Sequence, residues 1–177
     1  MNSIDLYIQD YLLSSRTEQF NDFFYIVTSF FDVSLLFFMI TMVVIYIVHK
    51  IKGRKDSIFF LLNIFITMLL VYVLKNVFNT SRPVEGLVYA FGGSFPSYHA
   101  TMSTVFFISL YRVFRENIKV FYRKLLYMFC ILAILLVSFS RLYLGVHWFT
   151  DVVFGIFLGI FVCHISINIH KRYFDSL

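Results

Sequence analysis

Three short segments contain side chains whose types and spacing suit the binding and transfer of a phosphate group. In the first, Lys75 and Arg82 lie seven residues apart, and Pro83 follows directly. If the helix that contains Lys75 continues, residues seven apart lie on one face, two turns along, and Pro83 would stop the helix just after Arg82. Arginine offers a planar bidentate fork and lysine a point charge. The pair therefore predicts a site for a di- or trivalent oxyanion.

The second segment reads Phe95-Pro96-Ser97-Tyr98-His99 and is predicted to open a helix. Serine is a favoured N-cap residue, so Ser97 is expected to cap this helix. The free N–H groups of a first helical turn favour a bound anion. His99 would lie in that first turn, beside the anion.

The third segment contains Arg141, His147 and Asp151. His147 and Asp151 are four residues apart at the predicted start of a helix, so their side chains are neighbours. A carboxylate bonded to one ring nitrogen sets the tautomer and leaves the other nitrogen free to attack. Arg141 adds a third cation.

Together these side chains predict phosphoryl transfer through a phosphohistidine. The cations would hold the equatorial oxygens while His147 attacks phosphorus in line. His99 would protonate the departing oxygen as the general acid. Because two arginines and a lysine already balance the charge of the phosphate, we expect no metal ion and no other cofactor.

Taken singly, these residues have simpler interpretations. Lys75 and Arg82 could extend to lipid headgroups, as cations near helix ends commonly do. His99 alone is more often an ordinary residue of a first helical turn, and His147 with Asp151 could form a structural hydrogen bond. The occurrence of all three segments in order, on one predicted face, favours phosphate chemistry instead.

The composition places these segments in a membrane. Of the 177 residues, 60% are hydrophobic and 14% are charged, against about 45–50% and 25% in soluble domains. The mean hydropathy is +0.81. These values exclude a soluble globular domain, a disordered chain and a disulfide-linked secreted module. Five runs lack Asp, Glu, Lys and Arg, and each approaches the ~20 residues that span a bilayer once its flanks are added. These runs are 33–48, 57–74, 97–111, 125–140 and 152–169.

We therefore expect an all-α, polytopic helical membrane protein with about five transmembrane helices and an N-terminal amphipathic interfacial helix, since helices satisfy the backbone in lipid. The amphipathic pattern covers 3–20. The predicted spans are 24–48, 57–77, 98–115, 122–141 and 148–169. The chain reads as a single membrane-embedded domain over 1–177, with the interfacial helix in 1–21, the bundle in 22–170 and an extracytoplasmic loop at 79–97.

The distribution of basic residues predicts the orientation. Eleven of the 15 Lys and Arg residues share one side if five spans are right, so the net charge of +5 reflects topology and no nucleic-acid partner is expected. These residues are Lys50, Lys52, Arg54, Lys55, Arg112, Arg115, Lys119, Arg123, Lys124, Lys171 and Arg172. By the positive-inside rule the C-terminus is cytoplasmic. The candidate site then faces the extracytoplasmic side of the plasma (cytoplasmic or inner) membrane.

The three segments resemble the motifs of the type-2 phosphatidic acid phosphatases, a family that shares its site with vanadium haloperoxidases. The family motifs read K-x6-R-P, P-S-G-H and S-R-x5-H-x3-D. This chain has Lys75-x6-Arg82-Pro83, Pro96-Ser97-Tyr98-His99 and Ser140-Arg141-x5-His147-x3-Asp151. The resemblance covers about residues 57–170.

The resemblance implies a role for each matching residue. His147 would be the nucleophile, His99 the general acid and Asp151 the residue that orients the nucleophile. The phosphate would be held by Lys75, Arg82, Ser97 and Arg141.

Two features depart from the family. Tyr98 replaces the motif glycine, keeping the backbone N–H that would approach the phosphate but not the glycine's freedom to adopt a left-handed conformation. We expect a helical Tyr98 with its ring turned away from the anion or lining the path by which a lipid enters. In addition, integral members of the family usually have six spans, whereas five are predicted here.

From the residues and the resemblance we expect a membrane lipid phosphatase that hydrolyses a phosphate monoester or pyrophosphate through a phosphohistidine. The candidate substrates implied by the family are undecaprenyl pyrophosphate, phosphatidylglycerol phosphate, phosphatidic acid and the lipid A phosphates. The compact chain favours a bulky headgroup such as lipid A or a prenyl pyrophosphate. A lipid phosphotransferase with the same site and a non-catalytic anion-binding or transport protein stay open as alternatives. Membrane lipids are the expected surroundings, and the sequence leaves the oligomeric state open.

Overall fold

The computed structural model describes residues 2–32 and 34–174, and within them helices form all of the regular secondary structure. The helices are α1 (Ser3–Ser14), α2 (Glu18–Ser29), α3 (Leu35–Lys52), α4 (Arg54–Phe78), α5 (Tyr98–Phe114), α6 (Val120–Tyr143) and α7 (Phe149–Phe174). The predicted all-α, polytopic membrane fold is confirmed. The predicted domain limits at residues 1 and 177 lie outside the described residues.

Four helices are long and apolar enough to cross a membrane: α3, α4, α6 and the Phe149–Arg172 part of α7. Helix α5 has 17 residues, about 25 Å at the rise of an α-helix. It lies at the centre of the bundle, where it packs against α4, α6 and α7. The predicted helix at 98–115 is thus the buried core of the bundle.

The predicted first span, 24–48, is wrong in its limits, because two helices separated by a short linker occupy this stretch. Helix α2 ends before the linker, and Ser34 adopts an extended conformation there. The Ser34 hydroxyl accepts a hydrogen bond from the N–H of Phe37 at 3.4 Å and so caps α3. Within the linker, the Asp32 carboxylate contacts His99 of α5 at 2.8 Å, just before the apolar run 33–48 begins.

The predicted amphipathic helix at 3–20 is shorter than expected, since α1 ends at Ser14 and α2 begins after a cap at Thr17. The buried face of α1 is partly polar and lies against the junction between α6 and α7. Asp5 on this face accepts hydrogen bonds from the N–H and the hydroxyl of Thr150, both at 2.9 Å. Asp5 of α1 therefore supplies the hydrogen-bond acceptor for the first turn of α7.

Two glycines allow α5 and α7 to pack in close contact. A Cβ at Gly159 would lie 2.7 Å from Cβ of Thr104, and a Cβ at Gly155 would lie 2.9 Å from the carbonyl oxygen of Ser97. Small residues commonly permit such approach between membrane helices. The contact brings the first turns of α5 and α7 together, and the N–H of Ser97 donates to the carbonyl of Asp151 at 3.2 Å.

We predict that Asp5→Ala destabilises the fold by about 1–2 kcal/mol, because both Thr150 donors lose their acceptor. The measurement is the thermal unfolding midpoint of the purified protein in detergent. Asp10→Ala is the matched control, since Asp10 lies on the exposed side of the same helix. An equal midpoint for the two variants would contradict a capping role for Asp5.

Candidate active site

The end of α4 separates Lys75 from Arg82, so the predicted single helical stripe is wrong. Helix α4 ends at Phe78, and Asn79 adopts a left-handed conformation with φ of 38°. Asparagine is among the residues that tolerate this conformation, and its N–H closes the helix by donating to the carbonyl of Lys75 at 3.0 Å. Arg82 therefore reaches the site from the loop that follows the helix.

Both cations are bonded to the loop before α5. The Lys75 Nζ donates to the carbonyls of Gly93 at 2.6 Å and Ser94 at 3.3 Å. The Nε and Nη2 atoms of Arg82 donate to the carbonyls of residues 91–93 at 2.9 to 3.1 Å. The Nη1 atom of Arg82 donates to the carbonyl of Val146 at 2.7 Å. The guanidinium thus links the loop before α5 to the loop before α7.

Arg82 also indicates the tautomer of His147. Its Nη1 lies 3.3 Å from Nε2 of His147, whose ring is 2% exposed. A guanidinium donates hydrogen bonds and accepts none, so Nε2 is the acceptor and the ring proton lies on Nδ1. The Nε2 lone pair, which is the attacking pair in histidine catalysis, is therefore directed toward Arg82.

The predicted direct hydrogen bond between Asp151 and His147 is replaced by a contact through Ser94. The Asp151 Oδ2 lies 3.6 Å from Nδ1 of His147, beyond hydrogen-bond range. That oxygen instead accepts from the Ser94 hydroxyl and from the N–H of Trp148, the latter at 2.9 Å. The Ser94 oxygen lies 3.5 Å from the same Nδ1. Ser94 was missed in the sequence, where its only signal is a place in the glycine-rich loop ahead of the second motif.

Burial and charge keep the His147 imidazole neutral. Burial lowers the pKa of His147 well below 6.5, and the nearby positive charges of Arg141, Arg82 and Lys75 lower it further. A neutral imidazole is the form that has a free lone pair. The surroundings thus favour the nucleophilic state.

Two of the buried donors that have no hydrogen-bond partner among residues 2–32 and 34–174 belong to residues that the resemblance assigns to phosphate binding: Nε of Arg141 and the hydroxyl of Ser97. Ser97 holds the predicted N-cap position of α5, but its hydroxyl does not make the expected capping bond. Arg141 is 3% exposed, and its Nη1 donates to the hydroxyl of Thr28 on α2 at 2.5 Å. Buried donors in proteins are normally paired, so these two are suited to an anionic ligand.

His99 has a partner that the sequence did not suggest. Its Nε2 lies 2.8 Å from Oδ1 of Asp32 in the linker between α2 and α3. This hydrogen bond lowers the pKa of the Asp32 carboxyl, and the positive charge of Arg141 acts in the same direction. Asp32 is therefore an anion in contact with the imidazole. The only sequence signal was an acidic residue at the edge of an apolar run.

Tyr98 occupies the first position of α5, so its predicted helical conformation is confirmed. Its ring lies edge-on to His99, with 5.5 Å between ring centroids. It also packs against the apolar cluster that includes Phe31 and Met102. The substitution of the motif glycine is thus accommodated by a pocket for the ring.

One cavity of about 580 Å³ brings these groups together. Its polar lining consists mainly of Asp32, Lys75, Arg82, Tyr98, His99, Arg141 and His147. Its apolar lining includes Met68 and Val71 from the membrane-spanning part of α4. Six of the eight predicted site residues therefore line one cavity. The other two, Ser97 and Asp151, are buried and bonded to each other through their backbones.

The arrangement offers no ready metal site in the part of the chain that is described. No group of three or more His, Cys, Asp and Glu side chains there is placed to hold a metal ion. The polar groups of the cavity are mainly cations and imidazoles, which are suited to an oxyanion.

Two solved structures have the same fold. One is the crystal structure of the first transmembrane PAP2 type phosphatidylglycerolphosphate phosphatase from Bacillus subtilis, with a TM-score of 0.82, 25% identity and coverage of 97% of this chain and 86% of that chain. The other is the crystal structure of Aquifex aeolicus LpxE, with a TM-score of 0.73, 22% identity and coverage of 94% of this chain and 96% of that chain. At the latter identity the likeness concerns the fold alone.

The sequence comparison agrees with the geometry of the site. No match to this chain is found among the curated proteins. The sequence model of the PAP2 superfamily matches residues 56–175, the part of the chain that holds all three motifs. The chain therefore belongs to the PAP2 superfamily, and it is an integral membrane phosphatase of that superfamily.

Proposed function

We propose that this phosphatase hydrolyses a phosphate monoester or a pyrophosphate of an amphiphilic lipid through a phosphohistidine on His147. The observation that carries the proposal is the shared cavity. Its lining combines the cations and imidazoles with Met68, Val71 and Tyr72 of α4. A ligand that contacts both kinds of side chain has an anionic headgroup and an apolar tail.

The attack starts from Nε2 of His147. Its lone pair forms the N–P bond while the bond from phosphorus to the leaving oxygen breaks in line. As the ring becomes positively charged, Ser94 and Asp151 stabilise the Nδ1–H side. Water then attacks the phosphohistidine, and the imidazole is regenerated with release of phosphate.

Three kinds of donor stabilise the charge on the phosphoryl oxygens. Nε of Arg141 and the hydroxyl of Ser97 are buried and unpaired among the described residues. The backbone N–H of Tyr98 lies at the start of α5, where helix N–H groups favour anions. Lys75 and Arg82 are bonded to loop carbonyls in this structure, and they contribute positive charge at short range. Such preorganised donors are typically the largest contribution to catalysis.

The proposed substrate class is a lipid phosphate presented at the extracytoplasmic surface of the plasma membrane. The basic residues of the opposite loops support this orientation. Phosphatidylglycerol phosphate is the first substrate to test, because the Bacillus subtilis protein is a phosphatidylglycerolphosphate phosphatase. Undecaprenyl pyrophosphate, phosphatidic acid and the lipid A phosphates complete the test set.

Transfer of the phosphoryl group to an acceptor other than water is the second candidate reaction, since the same phosphohistidine would serve it.

We predict that His147→Ala abolishes phosphate release but keeps lipid binding, because the variant lacks only the nucleophile. Release is measured with each lipid phosphate in detergent, and binding by retention of the labelled lipid. His164→Ala is the matched control, since His164 is exposed on α7 and bonded to Asn168. Labelled phosphate should be trapped on the wild type and on His164→Ala, but not on His147→Ala. Residual turnover in His147→Ala would rule out the phosphohistidine, and binding without turnover in the wild type would favour an anion-binding protein.

The low pKa of His147 predicts that its imidazole stays neutral when the pH falls through 6.5, the ordinary histidine value. A lowered pKa means that a proton binds only at more acidic pH, so the nucleophilic form persists there. Histidine NMR of the labelled protein measures this, with the signal assigned by its loss in His147→Ala. A midpoint at or above pH 6.5 would contradict the prediction.

Treatment with EDTA is expected to leave phosphate release unchanged, because the proposed reaction uses cationic side chains in place of a metal ion. The assay compares chelated and untreated protein on the same lipid phosphate, with Mg²⁺ added back in a parallel sample. Loss of activity that Mg²⁺ restores would show that a metal takes part.

A further inference from the structure

Asp32 brings a carboxylate into the cavity from outside the residues that the superfamily model matches. It lies in the linker between α2 and α3, before the matched residues 56–175. Its side chain is 46% exposed, while that of His99, which it contacts at 2.8 Å, is 9% exposed. Both residues line the cavity. Asp32 therefore reaches from the rim of the cavity to the buried imidazole.

The surroundings of the pair explain what the carboxylate does. A general acid must hold its proton until the leaving oxygen departs. The imidazole of His99 is close to the cations Arg141 from α6 and Lys75 from α4, with Tyr98 beside it and His147 across the cavity. Like charges oppose protonation of a ring, whereas an anion in hydrogen-bond contact favours it. Burial and the two cations lower the pKa of His99, and the contact with Asp32 acts against them by supplying that anion.

We propose that Asp32 is a positioning residue that accepts a hydrogen bond from Nε2 of His99, stabilises the protonated form of the ring and so permits the departure of strongly basic leaving groups. This inference rests on the proposed function. In the step, the Nδ1–H bond of the protonated His99 ring breaks and its electron pair stays on the ring, while the Nε2–H stays hydrogen-bonded to Asp32. The proton joins the leaving oxygen, which also takes the electron pair of the broken P–O bond, while Nε2 of His147 forms the N–P bond.

Asp32 should affect the two proposed substrate classes, phosphate monoesters and pyrophosphates, to different extents. A lipid phosphate monoester releases an alkoxide, which is strongly basic and needs the proton. A lipid pyrophosphate releases the lipid monophosphate as its leaving group, whose oxygen is weakly basic and leaves without a proton. Because proton transfer contributes more when the leaving group is more basic, Asp32 is needed for monoesters and much less for pyrophosphates. Asp32 thus determines whether the site hydrolyses monoesters efficiently in addition to pyrophosphates.

The test compares phosphatidic acid with diacylglycerol pyrophosphate, two substrates that share one diacylglycerol tail. We expect Asp32→Asn to lower kcat for the monoester by about tenfold or more relative to the pyrophosphate, the low end of a general-acid contribution being roughly 10²-fold. The ratio of the two rates does not depend on the fraction of folded protein. Asp22→Asn, at an exposed position of α2, is the matched control and should leave the ratio unchanged. Asp32→Glu keeps the carboxylate, so its ratio of monoester kcat to pyrophosphate kcat should lie between the ratios of Asp32→Asn and the wild type.

The outcomes separate this inference from the function on which it rests. If the wild type hydrolyses both lipids and Asp32→Asn slows both equally, Asp32 has a structural role and the inference is wrong. The inference is also wrong if Asp32→Asn leaves both rates unchanged or if Asp22→Asn shifts the ratio as strongly. If the wild type releases phosphate from neither lipid nor from the other lipid phosphates, the proposed function fails and this inference fails with it.

Discussion

The guanidinium of Arg82 is the interaction on which the geometry of the site depends. It donates to three successive carbonyls in the loop before α5 and to the carbonyl of Val146 in the loop before α7. The same group faces Nε2 of His147 at 3.3 Å. Because arginine donors occur in a rigid plane, one side chain sets the separation of the two loops, the tautomer of the imidazole and the direction of its lone pair.

The helices around this interaction bring the two loops within its reach. Gly155 and Gly159 let α7 approach α5 closely, so the first turns of both helices lie side by side. Helix α1 holds the start of α7 through Asp5 and Thr150. The helices thus form a frame, and the loops that hold the site lie at the end of α4 and at the starts of α5 and α7. Precise positioning of catalytic groups on such a frame is what allows large electrostatic effects.

The sequence predicted the helical class and the integral membrane character, and it named eight site residues, six of which line one cavity, because these depend on local composition and on spacing along the chain. Its errors fall where local patterns compete with distant contacts. The apolar run 33–48 and its flank suggested a span at 24–48, yet α2 and α3 are separate helices, and the Asp32 carboxylate between them pairs with His99, 67 residues away. The spacing of Lys75 and Arg82 suggested a helical stripe, yet Asn79 ends the helix between them.

By itself the sequence determined which chemistry is available, since three cations, two imidazoles and a carboxylate within apolar helices are a property of residue types and hydropathy. Only the tertiary structure decided which hydrogen-bond partner each of those groups has. Thr28 takes a donor of Arg141 from 113 residues away, and Ser94 comes between Asp151 and His147. Hydrogen-bond partners are chosen by three-dimensional proximity among competing donors and acceptors, and no periodicity in the chain encodes that choice.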